Sequence, residues 1–316
     1  MCIVCRVGEG RRDDLEDARL TQVLNCIREH PNIPVRLRLN VDSVYRYQNP
    51  GREADTPEGE VFNEKRDLDI IQRLGLVPGA TRPANELFYR LFERIPSARG
   101  ICGYERVTSE AWRGCSRASS GWYEKGHAMG LAAIIPARPA AEKERAKLDS
   151  VRAIYTADVL RIRPHHLMCM ACFHGGRETL APIAEDNLFE AITVIQANPE
   201  IPVSLVRGCC MICPPCTRYD PRSNLCVGGN GMGLRDQKKD LDVLQRLGLQ
   251  FGDTLPARVL YAKLFDAIHS TRQICGYDDG IVRGWEWTIC GGPDGAEGYR
   301  KAREKGMGIP GLRIES

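Results

Sequence analysis

The chain has 316 residues, 43% of them hydrophobic and 27% charged, with a formal net charge of only +3. That composition belongs to a soluble globular protein long enough for two ordinary domains, and it excludes a disordered chain and a concentrated nucleic-acid-binding face. No apolar run reaches the ~18 residues of a membrane span. The segment Met1 to Asp14 lacks the apolar core of a signal peptide, so the expectation is a cytoplasmic protein without membrane or nucleic-acid partners.

In chain order, Met1-Cys2-Ile3-Val4-Cys5 opens with a C-x2-C pair. A helix is expected within Asp13 to Glu29, ending before Pro31, and Val35-Arg36-Leu37-Arg38-Leu39 reads as a short strand. Leu68, Ile71 and Leu74 recur at helical spacing, with Gly75 where a C′ residue would stand. Pro83 is expected to open a further helix whose Leu87, Phe88, Leu91, Phe92 and Ile95 form a core face. Cys102 and Cys115 follow. The stretch from Pro136 to Lys147 is charged and nearly free of large apolar residues, as in a linker with some helical character.

The order then returns. Met168-Cys169-Met170-Ala171-Cys172 repeats the opening block, and Pro199-Glu200-Ile201-Pro202-Val203 repeats Pro31-Asn32-Ile33-Pro34-Val35. Asp240 to Leu249 repeats Asp67 to Leu76, Ile274-Cys275-Gly276-Tyr277 repeats Ile101-Cys102-Gly103-Tyr104, and Trp287-Thr288-Ile289-Cys290 repeats Trp112-Arg113-Gly114-Cys115. Between these blocks lie a helical pattern in Pro182 to Gln196 and a β-prone Val203-Ser204-Leu205-Val206. Ordered blocks at a near-constant offset imply duplication. The expected fold is α+β: two homologous helix-rich domains with short strands, at residues 1–135 and 151–316, joined by a linker at 136–150.

The repeat sorts the fourteen cysteines. Cys2, Cys5, Cys102 and Cys115 correspond to Cys169, Cys172, Cys275 and Cys290, one quartet per domain. Cys210, Cys213, Cys216 and Cys226 occur only in the second domain, in a C-x2-C-x2-C-x9-C run where the first has Asn40 to Tyr47. Two residues between cysteines let one tight turn aim two thiolates at a common centre, and four soft thiolates suit an iron–sulfur cluster. A reducing compartment argues against disulfides. Each set is therefore a candidate [4Fe–4S] ligand set, two or three clusters in all, with zinc the alternative, above all in the two quartets. Gly103, Gly276 and Gly291-Gly292 follow proposed ligands and leave room for amides to approach sulfur. Cys26 and Cys209 remain over. Cys209, Cys213 and Cys216 also have the C-x3-C-x2-C spacing of radical S-adenosylmethionine enzymes. No series of strand–helix units follows, and Cys226 would close the open iron.

Pro164-His165-His166-Leu167-Met168-Cys169 sets two histidines just before a proposed ligand. His165 and His166 are candidate cofactor-binding residues, as donors to cluster sulfur, proton carriers or metal ligands. In this chain Cys2 is preceded by Met1 alone, so the first domain has no counterpart of the pair unless the true start lies upstream. From about Arg161 to Leu249 the sequence resembles a bacterial cysteine-rich domain family of unknown function described as iron–sulfur binding. The resemblance rests on Pro164 to Cys169, on the Cys210–Cys226 run and on Leu241 to Leu249; it implies metal binding and no reaction. The functional expectation is an iron–sulfur electron carrier or redox subunit serving a redox partner protein. The alternatives are an enzyme with a substrate-binding cluster beside His165 and His166, and a structural zinc protein.

Overall fold

A computed structural model describes residues 1–39, 56–226, 233–276, 281, 287, 293–312 and 314. Cys290, Gly291-Gly292, Tyr277 and the stretch Asn40 to Tyr47 lie outside the described residues. The chain is helix-rich with a few short strands, an α+β composition. It divides into two compact units, Met1–Ala137 and Arg138–Ser316.

The first unit contains α1 (Cys2–Glu9), α2 (Ala18–Glu29), β1 (Pro34–Arg36), α3 (Glu60–Leu74), β2 (Thr81–Pro83), α4 (Ala84–Arg94) and α5 (Trp122–Ala128). Asp17 caps α2 by accepting from the Arg19 and Leu20 amides. Gly75 ends α3 at φ 67°, a left-handed conformation that glycine adopts without strain. Arg90 and Arg94 both donate to the Leu74 carbonyl and so satisfy an orphan acceptor at that helix end. β1 pairs antiparallel with β2 through Pro34↔Pro83. Pro83 thus ends a strand and caps α4, where the sequence pattern has it opening the helix; the first amides of α4 donate to loop carbonyls, Ala84 to Ile33 and Asn85 to Pro31. Val4, Leu15, Leu24, Ile95, Ile101 and Ile134 fill the core.

The second unit contains α6 (Ala140–Tyr155), β3 (Leu160–Ile162), α7 (Pro164–Gly175), α8 (Leu188–Ala197), β4 (Pro202–Leu205), β5 (Tyr219–Asp220), β6 (Leu225–Cys226), α9 (Leu234–Leu247), β7 (Thr254–Pro256), α10 (Ala257–Ala267) and α11 (Pro293–Lys305). β4 pairs antiparallel with β7 through Pro202↔Pro256, and β3 joins its other edge in parallel. Here too the first amides of the helix after the strand donate to loop carbonyls, Ala257 to Ile201 and Arg258 to Pro199. Gly248 ends α9 at φ 66°. α7 is apolar on nearly every side, with Leu167, Met168, Met170 and Ala171 buried, as befits a core helix.

The stretch expected to be a partly helical linker carries a helix that continues past it. Residues 140–155 form α6, a helix of the second unit. It packs against α8, burying Ser150 and Ile154, and Lys147 pairs with Glu190 at 2.7 Å. The sequence reads as a linker because the helix needs little apolar surface; its Leu148 is 72% exposed. A polar anchor holds it instead: Asn187 donates to Ser150 Oγ at 2.8 Å.

In each unit the helix bearing the C-x2-C pair meets the last helix backbone to backbone. A Cβ on Gly8 of α1 would lie 1.9 Å from the Trp122 carbonyl oxygen, and one on Gly126 of α5 2.0 Å from that of Val4. In the second unit a Cβ on Gly175 would lie 1.9 Å from the Gly298 oxygen. Tyrosines secure the same crossings: Tyr123 donates to the Ile95 carbonyl at 2.6 Å and Tyr299 to that of Ile268 at 2.9 Å. Helix propensity alone favours alanine over glycine by about 1 kcal/mol. Gly8→Ala should nevertheless destabilise the protein by about 1–3 kcal/mol through overpacking, measured by urea unfolding. A neutral or stabilised variant would show that α1 and α5 are not in backbone contact.

Candidate metal centre

The cysteine run of the second unit is a chain of turns. Cys213 N–H donates to Cys210 O, Cys216 N–H to Cys213 O, and Tyr219 N–H to Cys216 O, at 2.9, 2.9 and 3.1 Å. Each two-residue gap closes one reverse turn; of the run's thiols, Cys210 and Cys213 come within 4.8 Å of each other and of a His166 nitrogen, and Cys216 and Cys226 stand outside that group. Met211 N–H binds the Arg161 carbonyl at 3.2 Å, and buried Asn187 holds the loop from the other side, its side-chain amide on Met211 O at 2.8 Å and its backbone amide on Ile212 O at 3.2 Å. The β5–β6 hairpin brings Cys226 back opposite Tyr219. Arg138 donates to the Pro214 carbonyl and lies over the Tyr219 ring.

Cys210 and Cys213 sulfurs stand 4.0 Å apart, and His166 Nδ1 is 3.1 Å from Cys210 Sγ. Backbone amides also turn to sulfur, Cys210 N–H to Cys213 Sγ at 3.3 Å and Arg218 N–H to Cys216 Sγ at 3.4 Å. Hydrogen bonds from Cys209 and Cys210 hold Cys213 well below the usual thiol range despite its burial. The cost falls on its neighbours: the Cys213 bond pushes Cys209 up, and burial with the same bond pushes Cys210 up. Burial raises Cys216, with the Cys213 charge adding to it. Burial pushes His166 down to about 3, against the opposing pull of the Cys213 thiolate, so the imidazole is neutral near pH 7. One thiolate among several reluctant thiols is an arrangement that a cation would complete, because ligation removes the protons.

Behind this centre lies a buried charge cluster. Asp240 of α9 is fully buried and accepts from Arg163 at 2.7 and 3.0 Å and from both the backbone amide and Nδ1 of His165, at 3.0 and 2.8 Å. Burial would raise the carboxyl, but His165 and Arg163 outweigh it and hold Asp240 below its ordinary range. A carboxylate only accepts, so the Nδ1 of His165 carries a proton and Nε2 is the ring nitrogen left for another partner. The His165 amide is one of the orphan donors at the start of α7, and Asp240 caps it from another helix. The stretch that the sequence leaves open between helix and loop is therefore helical.

In the first unit, Cys2 and Cys5 ride on α1, and Cys115 N–H binds the Cys102 carbonyl at 2.8 Å. The four thiols lie within electrostatic reach of one another. Burial pushes Cys102 up to about 12, with Cys2 and Cys115 contributing, and burial raises Cys5, with Cys2 and Cys115 again contributing. Gly103 serves packing: a Cβ there would lie 2.7 Å from the Ala118 Cβ. In the second unit Cys172 and Cys275 both act on Tyr299, as Cys5 and Cys102 act on Tyr123. The fourth proposed ligand, Cys290, is outside the described residues. Cys169 is grouped with His165 and His166.

Sequence reasoning missed Asp240 and Arg163 as parts of the site, and it set Cys209 aside. No local spacing links Asp240 to His165, 75 positions earlier. The only signal was the pairing of an arginine with a histidine around Pro164. No family model, curated protein or solved structure matches the chain.

Removing the Asp240 charge leaves Arg163 buried without its counter-ion. Asp240→Asn should therefore cost about 3–5 kcal/mol in chemical denaturation. A loss below about 1 kcal/mol, the range of exposed pairs, would show that the cluster is solvated.

Proposed function

We propose that this protein is an iron–sulfur protein that carries electrons to or from a redox partner protein. Cys210, Cys213, Cys216 and Cys226 form its central ligand set, and Cys2, Cys5, Cys102 and Cys115 a second one. The observation that carries this reading is the series of reverse turns that sets Cys210 and Cys213 sulfurs 4.0 Å apart, with the Cys210 amide donating to Cys213 sulfur. Amide donors to sulfur and a neutral imidazole beside it are the surroundings that tune a cluster's potential. The recurrence of the strand pairing, the glycine crossing and the tyrosine bond in both units is what two homologous domains would share. A cytoplasmic setting, where thiols stay reduced, fits so many free cysteines.

One observation favours a second reading, zinc at the central run. The 4.0 Å separation of Cys210 and Cys213 is near the ~3.8 Å edge of a tetrahedron with ~2.3 Å metal–sulfur bonds. Thiolates on different irons of a cubane stand farther apart. Neither in the run nor in the first unit's quartet do three cysteine sulfurs lie within 4.8 Å of one another, among the described residues.

Anaerobic purification with iron, sulfide and zinc analysis decides between them. The expected protein is brown, with acid-labile sulfide matching its iron, and Cys213→Ser should remove about one cluster's worth of iron. A colourless protein holding zinc alone, or iron unchanged in Cys213→Ser, would overturn the iron–sulfur assignment of the run.

A further inference from the structure

α7 presents a donor set that shares only His166 with the cysteine run. His165, His166 and Cys169 each place a ligand atom within 4.8 Å of the other two. His165 and Cys169 are four residues apart, so one helix face carries both, and His166 adjoins it. A tetrahedral ion with nitrogen at ~2.0–2.1 Å and sulfur at ~2.3 Å holds such atoms ~3.4–3.8 Å apart. The three donors thus need to close by about 1.4 Å at most, which side-chain rotation can supply.

The surroundings are those of a ligand set. His165 gives Nδ1–H to the buried Asp240 carboxylate, the outer-shell partner that fixes a metal-binding imidazole and raises its basicity. His166 has its own Nδ1 against Cys210 sulfur, so each ring keeps Nε2 as its remaining nitrogen. The rings meet edge to face, centroids 4.6 Å apart.

We propose that His165, His166 and Cys169 form a mononuclear metal site, separate from the thiolate clusters, for a borderline-soft divalent ion such as zinc. Two imidazoles and one thiolate satisfy three positions of a tetrahedron, and the fourth is left for water or a small donor ligand, as in catalytic rather than structural zinc sites. Cys169 is thereby withdrawn from its quartet, and Cys172 and Cys275 stay together beside Tyr299. His166 becomes the link between the two centres, touching the cysteine run on one side and this ion on the other.

Cobalt(II) is the probe, because thiolate and imidazole ligation give it distinct visible and near-ultraviolet bands. The full-length protein, purified anaerobically, is dialysed against a chelator mild enough to leave iron and sulfide unchanged, then titrated with cobalt(II). The expected result is uptake of about one tetrahedral cobalt per chain with a single thiolate charge-transfer band. Cys169→Ser and His165→Gln should each abolish that uptake and leave iron and sulfide unchanged, while Cys172→Ser keeps it. Glutamine can still donate to Asp240, and thermal melts check that each variant folds; should His165→Gln unfold, the comparison of Cys169→Ser with Cys172→Ser decides. Cobalt uptake that survives Cys169→Ser overturns the proposal. So does joint loss in Cys169→Ser and Cys172→Ser, or a cluster's worth of iron lost in Cys169→Ser, since either returns Cys169 to its quartet. A wild-type protein without iron or sulfide that still binds this cobalt overturns the iron–sulfur reading and upholds the mononuclear site.

Discussion

A single buried carboxylate holds the second unit together. Asp240 has no exposed surface and accepts from an arginine side chain, a helix-end amide and an imidazole, all from the three-residue stretch Arg163–His165. A lone charge there would cost several kcal/mol; surrounded by four donors, it becomes a fixed point. It ties the start of α7 to α9 and caps that helix without a side chain of the helix's own. It also sets which nitrogen of His165 carries the proton. The position of the apolar helix and the chemistry of its first turn therefore follow from one contact.

The cysteine run depends on that frame. Its loop is anchored to β3 through Arg161 and to the start of α8 through Asn187, so the thiols are held beside α7 by backbone bonds. The reverse turns then bring sulfurs together faster than charge can be neutralised. Cys213 ends as a thiolate with thiol and amide donors, and Cys209 and Cys210 are correspondingly reluctant to ionise. Coulomb repulsion between clustered thiolates in a poorly solvated pocket is large, and a cation relieves it. The same reasoning applies on a looser scale in the first unit, where burial and neighbouring thiols push Cys102 up to about 12.

The two units use one device to bring distant cysteines near each other. A C-x2-C helix crosses the last helix at glycine, close enough that even a methyl group would collide with a carbonyl. A tyrosine from that last helix then binds the carbonyl ending the helix before the single cysteine, Ile95 or Ile268. Backbone contact leaves no room for a spacer, and the buried hydroxyl would be costly to leave unpaired.

The sequence by itself determined several of the local elements. Helical spacing at Leu68, Ile71 and Leu74 and its repeat at Leu241, Leu244 and Leu247 was legible because those helices are amphipathic and end at glycines with positive φ. The two-residue gaps of the cysteine run were legible because a reverse turn is a local object. Other elements were not. α6 reads as a linker because its attachment is a serine, a lysine and one buried isoleucine. α5 and α11 escaped notice because glycine and tyrosine carry no periodic signal. β2 and β7 are three residues each and run straight into the helices after them. Only the tertiary structure decided that His165 faces Asp240, that His166 faces Cys210, and that Cys169 stands with the histidines. Those pairings join residues far apart in the chain, and long-range contact is set by how helices pack, which no short window of sequence contains.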